Sequence, residues 1–209
     1  MKLNLKTAHY RVSAFAVLLF LLLIGCTATL AQKTNESEKV ENYLDSYLKS
    51  FNDRPGTLRN HFVGFLNIDE ALKTQLENHF PYHHFYVAKT LFSHWITDDG
   101  SANVLVVTDS GSGDIVGVRW AIWFSGGTES FDHILESYRA SSRADALEKV
   151  SVLSRLLVSL NGWEVGNVKQ KGMTIVAELG GSIDPWRLLK VDVDRKFKFG
   201  KLSFVNPKK

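Results

Sequence analysis

Four histidines, His79, His83, His84 and His94, fall within sixteen positions, and imidazole both binds metal ions and transfers protons near neutral pH. Their spacing works against a shared ion. Around His83 the pattern is that of a β-strand, in which adjacent side chains point to opposite faces. His84 and His94 would then stand roughly 33 Å apart along one strand. No HExxH, paired CxxC or two-histidine-one-carboxylate spacing occurs, so neither a metal nor a cofactor is expected. These histidines read as surface or interfacial residues.

The run Asp109-Ser110-Gly111-Ser112-Gly113-Asp114 has acids at both ends and glycines inside, a composition that suits calcium or a phosphate. Its glycines do not open a helix after a strand, however, and its acids lack EF-hand spacing, so it reads as a hairpin connection. No GxSxG elbow surrounds Ser110 or Ser112, and a triad with His133 or His94 would rest on residue types alone.

Arg119 is harder to make ordinary. It interrupts a strand that is otherwise apolar on both faces, and a buried guanidinium needs a partner. One reading is an internal ion pair with a core-facing acid such as Glu178. The other is a fork that grips a carboxylate or phosphate of a ligand, with Trp120 or Trp123 as an apolar wall. A second basic feature lies near the C-terminus, where Trp186 to Lys209 carries eight basic residues against Asp192 and Asp194. Lys190, Lys196, Lys198 and Lys201 form a candidate partner or membrane surface, with Lys196, Lys198 and Lys201 along one outward side. The plain alternative is a sheet edge guarded by lysines.

The single cysteine, Cys26, sits where the sequence sets an address. Lys2, Lys6 and Arg11 precede an uncharged run from Val12 to Ala31, the n-region and h-region of an export signal. Leu23-Ile24-Gly25-Cys26 resembles the bacterial lipobox, which implies a thioether-linked diacylglycerol on Cys26 and a chain tethered in the bacterial envelope. Thr29-Leu30-Ala31 offers a second cleavage point, before Gln32, that would release a soluble periplasmic or secreted protein. Left uncut, the run reaches about 30 Å as a helix, enough for a signal anchor. The expected partners are thus a membrane, through lipid or anchor, and an envelope protein or small anionic ligand. With one cysteine no intrachain disulfide can form. Asn35-Glu36-Ser37 is a glycosylation sequon that matters only in a eukaryotic host.

Removing Lys2, Lys6 and Arg11 from the 25 basic residues of the 209-residue chain leaves as many as its 22 acidic ones, so nucleic acid is not an expected partner. With 44% apolar, 22% charged and 11% aromatic residues the chain is an ordinary globular one. We divide it into an export signal (1–31), a polar tether (32–38) and one globular domain (39–209).

The elements that must position these groups follow from periodicity. Val40, Tyr43, Leu44, Tyr47, Leu48 and Phe51 recur at helical spacing, and Asn52 to Gly56 ends that helix. Asp69 caps a second helix that runs to about His79, ahead of Pro81. Thr57 to Asn67 is ambiguous. Phe85 to Ile96, Asn103 to Thr108 and Ile115 to Phe124 form an antiparallel meander of about three strands, with turns at Asp98-Asp99-Gly100 and at the Asp109 loop. Apolar residues at both parities require that both sheet faces be covered. Ser142 starts a long helix that Asn161-Gly162 ends. Two further hairpins follow around Lys171-Gly172 and Asp194-Arg195, with a bulge at Gly200. The expected fold is α+β. The expected function is a non-catalytic binding or accessory module of the cell envelope, against two alternatives: a small exported enzyme with a His–carboxylate pair, and a structural homo-oligomer.

Overall fold

A computed structural model of the chain describes residues 35–49, 59–94, 97–120, 129–160, 162–180 and 187–206. Cys26, the leader and Trp123 lie outside the described residues. Two compact units divide the chain, Met1–Tyr43 and Leu44–Lys209. Helix α1 covers residues 35–49, and on its part within the second unit Leu44 and Leu48 are buried.

The fold is α+β, with two four-stranded antiparallel sheets, each a simple meander. The first contains β1 (Arg59–Leu66), β2 (His83–His94), β3 (Thr97–Asp109) and β4 (Ile115–Trp120), with α2 (Glu70–His79) between β1 and β2. Asp69 caps α2, its carboxylate accepting from the backbone N–H groups of Ala71 and Leu72. The ambiguous segment 57–67 supplies β1, a fourth strand beyond the expected three. A register shift between Phe62 and Gly64 puts Phe62 and Phe65 on one face although they are three residues apart, which disguises the period-two pattern. Asp98-Asp99-Gly100, expected as a turn, lies inside β3, where Gly100 pairs with Phe92.

Val104, Leu105, Val106 and Val107 are all fully buried, so β3 is covered on both faces. On the face of Val104, Val106 and Val118, Trp120 lies against Tyr47 of α1 and donates its indole N–H to the Tyr47 hydroxyl at 3.2 Å. The other face joins the main core, which combines Val87, Leu105 and Val107 with the apolar side of α4 (Arg143–Ser159) and with Ile175, Leu179, Leu189 and Val191 of the second sheet. Ser142 begins α4 by accepting from the Asp145 N–H. Gly162, in the left-handed region at φ 64°, ends it, and the Trp163 N–H returns to the Val158 carbonyl.

The second sheet is β5 (Glu164–Lys171), β6 (Thr174–Gly180), β7 (Arg187–Val193) and β8 (Phe199–Val205). Phe199 and Leu202 of β8 are both buried although their spacing is odd, so the residues between them, Gly200 and Lys201, form the expected bulge. A four-residue helix, α3 (Glu129–Asp132), and a 3-10 turn (Ile134–Ser137) sit between β4 and α4 in the chain, and α3 contacts both β4 and β8. Gly117 permits that approach: a Cβ there would stand 3.3 Å from the Phe131 backbone.

Candidate functional site

Arg119 stands opposite Leu105 on the core-facing side of β4, where α3 and β8 close over it. Its guanidinium lies 3.7 Å from the centre of the Phe204 ring and 5.7 Å from that of Phe131, so two aromatic faces hold the cation. Nη1 donates to Asp132 Oδ1 at 3.4 Å, a long single contact rather than a paired fork. The Arg119 side chain is 12% exposed and Asp132 28%. On the other carboxylate oxygen of Asp132, at 4.0 Å, is the ammonium of Lys201, which is 51% exposed. Two cations thus share one carboxylate.

The Arg119 Nε–H is buried and has no acceptor among the described residues. Burial pulls the guanidinium pKa below its ordinary value while Asp132 pulls it back. The group stays cationic at neutral pH, so among the described residues the corner carries a local positive surplus and a donor without an acceptor. Those are the ingredients of a site for a carboxylate or phosphate oxygen.

The structure does not bring the other proposed parts of this site together. Trp120 follows Arg119 in an extended strand, so it faces the opposite side and packs on Tyr47. Glu178 is not the partner of Arg119; it accepts from Asn167 and Lys169 across β5. The sequence does not announce Asp132 and Phe131, because a four-residue helix has no periodicity, nor Phe204, because nothing local links a β8 residue to β4. Lys190 is central on β7, across from Ser203 and Val176. Lys196 and Lys198 are exposed on the β7–β8 turn, while Lys201 leans to Asp132 instead of extending their row.

The histidines are dispersed. His79 is 3.9 Å from Asp145, and His133 meets Glu136 at 2.5 Å on open surface, where the two side chains are 46% and 42% exposed. Among the described residues no group of three or more His, Cys, Asp or Glu side chains is placed to hold a metal ion. The Asp109 loop is a hairpin whose carboxylate turns back to accept the N–H groups of Gly111 and Ser112. These bonds keep its pKa low. A groove of about 580 Å³ beside the second sheet is lined by Glu136, Asp192 and Asp194, but each carboxylate already accepts from a neighbour. The exposed apolar side chains Val63, Phe65 and Leu66 belong to edge strand β1, whose bulge discourages pairing with a second chain.

His83 is buried, with Nδ1 2.5 Å from the Tyr138 hydroxyl. Burial pushes the Tyr138 pKa up and the His83 pKa down; Asp109 opposes the His83 shift and His84 adds to it. The imidazole is therefore neutral at neutral pH and shares one hydrogen bond with the phenol. Because the folded pKa is the lower one, the unfolded chain takes the proton first as the medium is acidified. Stability attributable to His83 is complete above the ordinary imidazole pKa near 6.5 and is lost as pH falls below it. Urea midpoints should decline from about pH 6.5 downward, before the carboxylates titrate, and His83→Gln should flatten that limb. An unchanged slope in the variant would assign the acid sensitivity elsewhere.

The chain matches no protein-family model, no curated protein and no solved structure.

Proposed function

We propose that this chain is an exported cell-envelope protein, held at a membrane by its N-terminal segment, whose folded part is a non-catalytic module that binds an anionic group at the Arg119 corner. The observation that carries the binding reading is the buried Arg119 Nε–H without an acceptor among the described residues, with the exposed ammonium of Lys201 on the other side of Asp132. A carboxylate or phosphate entering the corner beside Asp132 would give that donor an acceptor and offset the surplus charge that Asp132 alone leaves. The tether reading is supported by the basic start, the uncharged run and Cys26 in its lipobox-like setting. Among the described residues no helix is long and apolar enough to cross a membrane.

Thermal unfolding in inorganic phosphate and in succinate, against chloride at matched ionic strength, tests the binding reading. Ligand at a hundred times its dissociation constant stabilises by about 2.7 kcal/mol. The rise in midpoint should disappear in Arg119→Met and shrink in Lys201→Ala; an equal rise in Arg119→Met would contradict the assignment. For the tether, the mature protein should have a mass beginning at Cys26 with acyl chains, and Cys26→Ser should lose that modification. A mass beginning at Gln32 would instead mean a released protein.

A further inference from the structure

The turn between β7 and β8 is built to hold cations outward. Asp194 Oδ1 accepts from the backbone N–H groups of Lys196 at 2.7 Å and Lys198 at 2.9 Å, which fixes the turn and keeps the carboxylate ionised. Phe197 adopts φ 58°, a left-handed conformation unusual for a bulky residue, and its ring packs on the core. Its carbonyl accepts from the Ala140 N–H at 2.9 Å, which ties the turn to the segment after the 3-10 helix. Arg139, in that segment, forms a backbone bridge with Lys198. Arg139, Arg195, Lys196 and Lys198 are consequently gathered at one tip, all exposed; Arg139 and Lys196 act on Asp194 through charge, and none of the four has a carboxylate oxygen within 4 Å among the described residues.

We propose that this tip is a second contact surface, which meets the anionic phospholipid headgroups of the bilayer to which the chain is tethered. The proposal rests on the tether reading and is independent of the Arg119 corner. A protein interface gains most of its affinity from a few buried aromatic or apolar anchors. Here the aromatic residue of the turn packs inward and the tip itself presents charge, with Met173 the one exposed apolar side chain among the groove-lining residues at its base. Clustered charge suffices for a headgroup layer, whose attraction acts within a Debye length. Glu136, Asp192 and Asp194 line the groove beside the turn and offset most of the four positive charges, so the attraction is modest and matters for a chain already held at the surface, where tethering raises the effective concentration.

The test therefore uses the full chain reconstituted in vesicles. Met173, 60% exposed and hydrogen-bonded through its carbonyl to Val193 at the base of the turn, offers an uncharged probe position. A fluorophore on Met173→Cys should be quenched by doxyl-labelled lipid about twofold more when a third of the phosphatidylcholine is replaced by phosphatidylglycerol. A fluorophore on Val63→Cys should show no such dependence, and the parent chain supplies the background from Cys26. Arg195→Glu with Lys198→Glu should return the Met173→Cys signal to its phosphatidylcholine value, as should high salt. Equal quenching in both vesicles, or quenching indifferent to the charge reversal, would overturn the proposal. Charge-dependent capture of an acidic protein without lipid-dependent quenching would also overturn it and give the surface to a protein partner. Failure of the tether is recognised separately, because the chain would then not sediment with either vesicle.

Discussion

Phe131→Ala is expected to lower the unfolding free energy by about 3–5 kcal/mol, the range for truncating a fully buried aromatic ring. Phe131 is completely buried, lies over Gly117 and forms one of the two aromatic faces around Arg119. Losing it leaves a void where α3 meets β4, and the cation above loses a wall. Because the Phe131 backbone already sits against β4 at Gly117, α3 has little room to move in and close the space. Urea unfolding should show a lower midpoint with an unchanged slope. A loss under about 1 kcal/mol would mean that α3 can settle onto β4 and that the corner is less rigid than its geometry implies.

Asp132→Ala should cost about 2–3 kcal/mol at low salt, somewhat below the usual figure for breaking a buried pair because Asp132 is partly solvated. The penalty comes from Arg119, which keeps its charge and loses its only acceptor among the described residues. Two companion measurements separate this cause from simple loss of packing. Adding Arg119→Met to Asp132→Ala should recover most of the loss, since exchanging both members of a buried pair for apolar groups is nearly neutral. Inorganic phosphate should stabilise Asp132→Ala more than the parent chain, because the anion takes the place of the missing carboxylate. If the double variant is as unstable as the sum of its parts, the pair is not coupled.

These two expectations concern a corner that the sequence announced only in part. Arg119 was legible because a charge inside an apolar run demands an explanation. Its partner was not, since Asp132 belongs to a helix too short for any period, and Glu178 drew attention by residue type although its parity sets it apart from Ile175, Ala177 and Leu179. Trp120, next to Arg119 in an extended strand, faces the other side of the sheet: adjacency in sequence means opposition across a sheet. Features written in local chemistry were legible in full, among them the Asp69 and Ser142 caps, the Gly162 helix end and the Gly200 bulge. Edge strand β1 was hidden by its own bulge, and Asp98 to Gly100 looked like a turn because pairing with β2 outweighs the local preference of a glycine. The His83–Tyr138 pair, spanning 55 positions, had no sequence signal beyond two polar aromatic residues.

The most direct measurement is the proton–nitrogen NMR spectrum of the arginine side chains in the intact protein, titrated with inorganic phosphate at constant ionic strength. Arg119→Met identifies the Arg119 Nε–H resonance, which is buried and has no acceptor among the described residues. That resonance should move downfield and saturate, as a charge-assisted hydrogen bond forms, while exposed arginines such as Arg139 and Arg195 drift without saturating. A resonance that stays in place through the titration would contradict an anion site at Arg119 and leave the corner a purely internal contact.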